Sequence, residues 1–438
     1  MRLTRLIPAA ATAALVAAVS VASLPGPAAE VPAVTRDISV APTPLPLACP
    51  GPLEVPVGDI DTGDSDLDAG SDDRTFWSAP EGDALGEGNA VAGAWGTQVE
   101  RVGGGDIAGL AGTACSAPSQ DQWLVAGATS LGASARLVLS NTSDASVRAH
   151  VTLHGPVGVI DEAIVVSVAP HSQQSLLLEG IEAEIPALAV HVVAGGVGVG
   201  AALQDSRLNG FVAAGTEWAA PTHTGTDLIV PIAGPVTADA PGTLRLVAPD
   251  GADVTLSLWG SDGERGWLGE DVVTVEAGAV TDLALPAGDL QAVRIEADAP
   301  VAAAASVTVA RDAPADTGVA YALDQAWTEA QAATSDERAV VVPGGELSIV
   351  AAATESTRLT LTDADGAVVV DEPLSAGTVR RVEVEAEPGS VLIGTGPAAW
   401  ALTVADGEAG FLTTLSPTPT SVPDRLVTIA PGTYVGSP

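Results

Sequence analysis

The chain has 438 residues and a formal net charge of −38, and all 17 of its basic residues are arginine. A field of that sign repels phosphate backbones and anionic lipid, so nucleic-acid binding is excluded and membrane contact is expected only through the N-terminal segment. Hydrophobic residues make up 47% of the chain but aromatic residues only 3%, which predicts cores of small aliphatic side chains, as in packed sheets.

The N-terminus has the pattern of an export signal. Arg2 and Arg5 precede an apolar run over residues 6–24, and small residues follow it. A positive flank, an apolar core and a small-residue exit are the three parts of a secretory signal. We therefore expect residues 1–29 to be a signal peptide or, if uncleaved, a membrane anchor. The protein is then secreted or held on the extracellular face of the plasma membrane.

A proline-rich stretch over residues 30–56 follows, which predicts an extended linker without a core of its own. The chain has two cysteines, Cys49 and Cys115. An even pair in an exported chain predicts a disulfide, whereas the same pair in a cytosolic chain would more often be two free thiols.

Residues 57–121 are acidic and glycine-rich and are expected to be irregular. Three aspartates alternate there as in a calcium-binding EF-hand loop: Asp64, Asp66 and Asp68. Ala69 stands where that loop needs its turning glycine, and Thr75 where it needs a bidentate glutamate. A solvated acidic loop is therefore the simpler interpretation, with calcium as the one candidate cofactor.

One pattern of strands then occurs three times, over residues 122–221, 227–330 and 338–417, which we call modules 1, 2 and 3. In each module an apolar opening segment leads to a second strand and a hairpin. Short alternating segments separated by turns every eight to twelve residues, at about seven strands per hundred residues, are typical of immunoglobulin-like sandwiches. The predicted fold is all-β with tandem sandwich modules, and a β-propeller is the alternative.

One leucine position also matches in all three repeats. Leu153, Leu258 and Leu361 occupy the same position in the three hairpins. Residues 418–438 form a Pro/Thr-rich tail whose RLVTIAPG segment echoes the opening strand of the modules. We therefore expect that segment to add a closing strand to module 3.

The segments CPGP, CSAPSQDQWLVAGATSLGASARLVLSN and ADAPVAAAASVTV resemble the actinobacterial envelope family known as domain of unknown function 5719. The resemblance covers most of the chain after the signal and rests on segment order and on the placement of Cys and Trp. It implies an exported or membrane-tethered protein. It carries no established activity and no catalytic residue.

A search for reactive groups finds few candidates. His150 and His154 lie in one strand, on one face, about 13 Å apart, which is too far to share a metal ion. We expect both to be exposed strand residues. The sequence contains no nucleophile elbow, zinc-protease helix or Cys-X-X-Cys motif. An enzyme is therefore not expected, and a pair of facing carboxylates is the only catalytic arrangement left open.

Tryptophans recur at informative positions. Trp218 and Trp327 end modules 1 and 2 at matching places and are predicted to pack between units. Trp259 and Trp267 flank a hairpin loop in module 2 only. They form either a pair that shields the loop or a platform on which sugar rings stack.

The predicted function is that of a non-catalytic cell-envelope protein, acting as a scaffold or interaction module. The alternative is a protein that binds cell-wall glycan through Trp259 and Trp267. The expected partner is accordingly another envelope protein or a glycan.

Overall fold

The computed structural model describes residues 36–40, 45–55, 73–160, 164–267, 272–313, 319–332, 336–420 and 425–429. These residues form strands, numbered β1 to β34 in chain order, and one 3-10 turn at Leu178–Gly180. None of the described helical segments is long and apolar enough to cross a membrane. The chain divides into two compact units, one of residues 44–421 and one of residues 1–43 with 422–438.

Two small antiparallel sheets lie before module 1, and we call them the N-terminal sheets. The first contains β2 (Leu47–Cys49), β4 (Asp83–Leu85) and β5 (Gly88–Val91), and the second contains β3 (Arg74–Ala79), β6 (Thr97–Val102) and β7 (Gly109–Ala114).

These strands differ from the linker and irregular region expected there. The segments are too short to bury themselves, and they gain burial by packing on larger neighbours. Val102 and Ala111 pack against Val138 of module 1, and Val99 and Leu110 join the core of module 3.

Module 1 consists of two facing sheets. One contains β8 (Asp121–Leu124), β10 (Val147–Gly155), β11 (Gly158–Val159), β12 (Ile164–Val168) and β14 (Ala189–Ala194). The other contains β9 (Ala133–Asn141), β13 (Ser172–Leu177), β15 (Gly200–Asn209) and β16 (Val212–Ala219). Buried residues of both sheets, such as Leu137 and Leu153, meet in one core.

In module 2, one long strand joins both sheets of the sandwich. The strands are β17 (Thr224–Ile232), β18 (Gly242–Val247), β19 (Ala252–Gly260), β20 (Gly263–Gly266), β21 (Val272–Val275), β22 (Val280–Ala284), β23 (Gln291–Arg311) and β24 (Ala322–Glu329). The first part of β23 pairs with β17 and β19, and the second part with β18 and β24. The two layers are therefore continuous through β23.

Module 3 again has two sheets. One contains β25 (Arg338–Val341), β27 (Thr357–Thr362), β28 (Val368–Leu374), β30 (Val391–Thr395) and β33 (Thr418–Pro419). The other contains β26 (Glu346–Ala352), β29 (Val379–Glu383), β31 (Ala399–Asp406) and β32 (Phe411–Leu415).

The architecture is all-β, as the sequence predicts. Leu153, Leu258 and Leu361 are each buried in the core of their own module. Each core draws residues from two sheet layers, which is the arrangement of a sandwich and differs from the propeller alternative.

The strand predicted to close module 3 pairs elsewhere. The segment forms β34 (Arg425–Ile429), and its partner is β1 (Arg36–Val40) in an antiparallel pair. The prediction is therefore wrong. The likeness to the opening strands is a likeness of β-propensity, which does not specify the partner strand.

Candidate functional site

Two groups of sequence-predicted site residues have simple outcomes. Cys49 and Cys115 form a disulfide that is buried from solvent. Asp64, Asp66 and Asp68 lie outside the described residues, so calcium binding there stays a prediction. Among the described residues, no group of three or more His, Cys, Asp or Glu side chains could hold a metal ion.

The predicted sugar-stacking platform of Trp259 and Trp267 does not form. Trp259 is only 4% exposed and lies in a cluster with Ile229 of module 2 and Val350 and Val379 of module 3. Trp267 is half-buried against the core of module 2. A sugar ring needs an open aromatic face, so the stacking role of Trp259 is wrong. Its role is to pack module 2 on module 3.

We therefore expect Trp259→Ala to lower the free energy of unfolding by about 3 kcal/mol, the lower end of the range for buried Trp→Ala changes. The change removes the apolar contacts of the indole and its contact with the Arg294 guanidinium, which lies 6.0 Å from the ring centroid. Urea unfolding at pH 7 measures the effect. Trp267→Ala is the matched control and should cost less. Equal stability of Trp259→Ala and wild type would contradict the packing role.

Trp218 and Trp327 are buried between units, which confirms their predicted role. Trp218 lies in a cluster with Leu53 and Val102 of the N-terminal part. Trp327 lies in the core cluster of module 1, and its Nε1–H donates a 2.9 Å hydrogen bond to the carboxylate of Asp205.

Four buried edge strands meet in what we call the four-strand junction. β7 contacts β16 and β32, and β24 contacts the same two strands. The strands come from four different parts of the chain, and glycines allow their backbones to approach. A Cβ on Gly215 would lie 2.4 Å from the backbone nitrogen of Gln325, and one on Gly109 would lie 2.6 Å from the Oδ1 atom of Asp324. Only glycine fits at these two places.

Two buried acidic side chains link the strands of the junction. Glu217 on β16 accepts hydrogen bonds from the backbone N–H of Gly112 on β7 (2.8 Å) and from the hydroxyl of Thr413 on β32 (2.6 Å). Asp324 on β24 accepts from the N–H of Leu412 on β32 at 2.9 Å. Each of these side chains therefore holds the backbone of strands that come from other parts of the chain.

Burial sets the protonation of these groups. It raises the pKa of Glu217 well above its usual range, against the opposing effect of the hydroxyl and N–H donors. It raises the pKa of Asp324 to about 8 in the same way. Glu329, which accepts from the N–H of Ala220 at 2.7 Å and from the hydroxyl of Ser416, has its pKa raised to about 7. All three residues are buried, and each accepts a hydrogen bond from the backbone of another part of the chain.

A second convergence of polar side chains forms a cleft of about 630 Å³ where module 1 meets module 2. We call it the interface cleft. Cross-strand pairing aligns its members, because Trp123 on β8 pairs with His191 on β14, and His191 pairs with Thr152 on β10. The lining residues are Asp121, Trp123, Thr152, His154, Val159, His191, Thr224 and Pro249.

Ring stacking and hydrogen bonds fix the rings of the interface cleft. The His191 ring is stacked on the Trp123 ring, with centroids 4.3 Å apart and an interplanar angle of 8°. Its Nε2 atom lies 2.9 Å from Oδ1 of Asp121. The ring of His154 tilts against Trp123 at 4.7 Å, and its Nδ1 atom lies 2.9 Å from the carbonyl oxygen of Gly278 in module 2.

The expectation of two exposed histidines is half right. His150 is exposed, but His154 is 4% exposed because module 2 covers it. Burial lowers the pKa of His154, and the nearby His191 lowers it further. A carbonyl oxygen only accepts, so the Nδ1 atom facing Gly278 carries the proton and the neutral ring leaves Nε2 as an acceptor. That buried Nε2 atom has no hydrogen-bond partner.

Sequence reasoning missed the junction acids. Glu217 is adjacent to Trp218, and Glu329 lies two residues after Trp327, in strands that are buried along almost their whole length. Acids in such strands are the signal that a search restricted to catalytic motifs passes over.

Comparison with known protein families matches residues 72–385 to a family of unknown function, DUF5719. No curated protein matches the chain. No solved structure matches it either.

Proposed function

Because the chain belongs to the DUF5719 family, whose description assigns no activity, we propose from its geometry that it is a non-catalytic scaffold of the cell envelope. The protein is exported and presents the outer surfaces of its modules to another envelope component. No enzymatic step is assigned to it.

The four-strand junction is the observation that carries this proposal. Each of its strands is buried, and the side chains of Glu217 and Asp324 hold backbone groups of neighbouring parts of the chain. Hydrogen bonds from buried side chains to the backbone of neighbouring strands favour one arrangement of the packed elements. A fixed spacing of surfaces is what a scaffold requires of its fold.

Export is supported by two independent features. The first is the signal-like sequence of residues 1–29, and the second is the buried disulfide between Cys49 and Cys115, a bond typical of oxidising compartments.

The test is made in cells that carry the gene. It measures where the protein is located and how its effect depends on its amount. The full chain with a C-terminal tag should be found outside the cytoplasm, with both cysteines resistant to alkylation until reduced. A scaffold acts in proportion to its amount, so the envelope defect of a deletion strain should recover gradually as expression is titrated to the native level. Recovery at a small fraction of that level would indicate turnover and overturn the proposal, as would a cytoplasmic location.

A further inference from the structure

Three tight turns lie together at one end of module 1. They lie before β9, after β10 and between β15 and β16, and they span residues 130–133, 155–158 and 209–212. The N–H of Leu208 donates to the carbonyl oxygen of Gly132 at 2.7 Å, which joins the first turn to the third. A Cβ on Gly155 would lie 3.2 Å from Ile185, whose N–H donates to the hydroxyl of Thr129 at 3.1 Å. These contacts join the second turn to the first.

Each of the three turns holds one apolar side chain out into solvent. Leu131 is 97% exposed, Val157 95% and Phe211 96%, and no other large hydrophobic side chain among the described residues is more than 61% exposed. Glycines keep the turns tight, because φ is +80° at Gly132 and +65° at Gly210. Turn residues are mostly polar or glycine, so three apolar tips at one place form an unusual exposed patch. We call this patch the apolar end of module 1.

The other two modules carry acids in the corresponding turns. The position of Val157, four residues after the aligned leucine, is Asp262 in module 2 and Asp365 in module 3. The hairpin of β31 and β32, which corresponds to that of β15 and β16, has Glu408 in its turn where module 1 has Phe211. The turns therefore accept charged residues, and their folding does not require the apolar side chains of module 1.

Exposed carboxylates border the apolar end of module 1. The segment after the 3-10 turn runs beside the first turn, since the N–H of Glu184 donates to the carbonyl oxygen of Thr129 at 2.9 Å. Glu182 and Glu184 are exposed, and within the described part of the chain neither carboxylate has a hydrogen bond or an ion pair. Glu276 of module 2 is exposed beside the second turn, because the carbonyl oxygen of the next residue would lie 4.0 Å from a Cβ on Gly158.

This charge selects among the possible occupants of the apolar end. A second copy carries the same net charge of −38 and an anionic lipid surface has the same sign, so both are repelled. A partner with Lys or Arg residues is attracted by the carboxylates, while its apolar residues cover the three tips. An apolar centre with a charged rim is the usual composition of a protein–protein interface.

We propose that the apolar end of module 1 is the docking surface for a basic envelope protein, which binds through a segment of mixed apolar and Lys or Arg residues. Burial of the three tips supplies affinity, and the acidic border supplies specificity and faster association. The proposal rests on the scaffold role, because it names the surface through which the scaffold holds its partner.

Fluorescence anisotropy with two short dye-labelled peptides and the exported chain tests the proposal. Leu and Lys alternate in one peptide, and Ser and Lys alternate in the other, at equal length and charge. We expect the wild type to bind the Leu-Lys peptide at least about tenfold more tightly. The double variant Leu131→Ser/Phe211→Ser keeps the net charge and should bind both peptides equally. Glu182→Gln/Glu184→Gln should weaken the binding of both.

Val157→Asp is the most discriminating variant, because it copies the residue of the other two modules and is expected to fold. It adds a negative charge, which by itself would strengthen the binding of a basic peptide. We nevertheless expect it to bind the Leu-Lys peptide more weakly than the wild type does. Val368→Ser removes an exposed apolar side chain from module 3, and as the matched control it should bind as the wild type does.

Equal binding of the two peptides by the wild type would overturn the proposal. So would an unchanged preference in both Leu131→Ser/Phe211→Ser and Val157→Asp, once melting curves verify that these variants are folded. Dimerisation in sedimentation velocity, or binding to phosphatidylcholine vesicles, that the double variant loses would identify the occupant as a second copy or a lipid surface and contradict it as well. A cytoplasmic location would remove the scaffold role but leave the peptide preference unchanged, so the two failures are distinguishable.

Discussion

At pH 8 the Asp324→Asn variant is expected to be more stable than the wild-type protein, although the change removes a buried carboxylate from the four-strand junction. The difference should shrink as the pH falls and be lost near pH 4. The physical reason is that burial raises the pKa of Asp324 to about 8, whereas an unfolded Asp has a pKa near the ordinary value of 3.8.

The sign follows from counting protons. Between pH 4 and pH 8 the unfolded chain has lost the Asp324 proton and the folded chain still holds it. The unfolded state then binds fewer protons, so the free energy of unfolding falls as the pH rises through this window. From pH 4 to pH 8 the free energy of unfolding falls by on the order of 5 kcal/mol through this group. Below pH 4 both states are protonated and the stability is fully present.

Asparagine fits the site chemically. Its Oδ1 atom accepts from the N–H of Leu412 as the carboxylate oxygen does, and it carries no charge at any pH. Urea unfolding at pH 5, 6, 7 and 8 measures the effect, with Asp250→Asn at an exposed turn as the matched control. The control should keep the pH slope of the wild type. A slope left unchanged by Asp324→Asn would contradict the assignment.

Glu217 and Glu329 act in the same direction, because burial raises the pKa of both. Their single Gln variants should each reduce part of the slope that remains in Asp324→Asn. The junction therefore favours the folded state most in mildly acidic surroundings. Its acids also require donors at fixed places, so a strand shifted by one residue would leave a carboxyl unpaired, which favours one register over its neighbours.

The sheet modules could be predicted because their signal is local. In β10 the side chains alternate between buried and exposed from Val147 to Val151, and a period of two is visible in any window of a few residues. The equivalence of Leu153, Leu258 and Leu361 adds the repeat. These two patterns are sufficient for the fold class and for the positions of the strands.

The contacts between modules could not be predicted in this way. Glu217 and Thr413 are 196 residues apart, and Trp327 and Asp205 are 122 apart. Trp259 has the sequence context of an exposed hairpin, since its own module leaves it on the outer face of a sheet. Only the packing of module 3 buries it, and hydrophobic periodicity within one strand carries no information about that neighbour.

In the interface cleft, too, the strand pattern could be predicted from the sequence and the contact between modules could not. Alternation places His150 and His154 on one face of β10, which is correct. Whether that face meets solvent or another module depends on the neighbouring unit, which covers His154 and leaves His150 open. The sister positions Trp259 and Thr362 show that the slot tolerates unrelated chemistry, so its residue type alone could not reveal the cleft.

Removing the disulfide should lower the free energy of unfolding by about 4 kcal/mol, which chain entropy predicts for a loop of this length. Cys49 and Cys115 are separated by 66 residues, and both are fully buried. The double variant Cys49→Ala/Cys115→Ala should still fold, because Ala48 and Ser116 exchange two backbone hydrogen bonds of 2.8 Å beside the bond. Those bonds hold β2 near the end of β7, so the sheet contacts remain in place.

Guanidinium unfolding of the oxidised protein and of the double variant measures this loss. The reduced wild type is the matched control, since it lacks the bond but keeps both sulfur atoms in the core. Most of the loss should appear in that control, because a restriction on the unfolded chain is removed in either case. If reduction left the stability unchanged while the double variant lost about 4 kcal/mol, the stabilisation would come from packing of the sulfur atoms, and the assignment to chain entropy would be wrong.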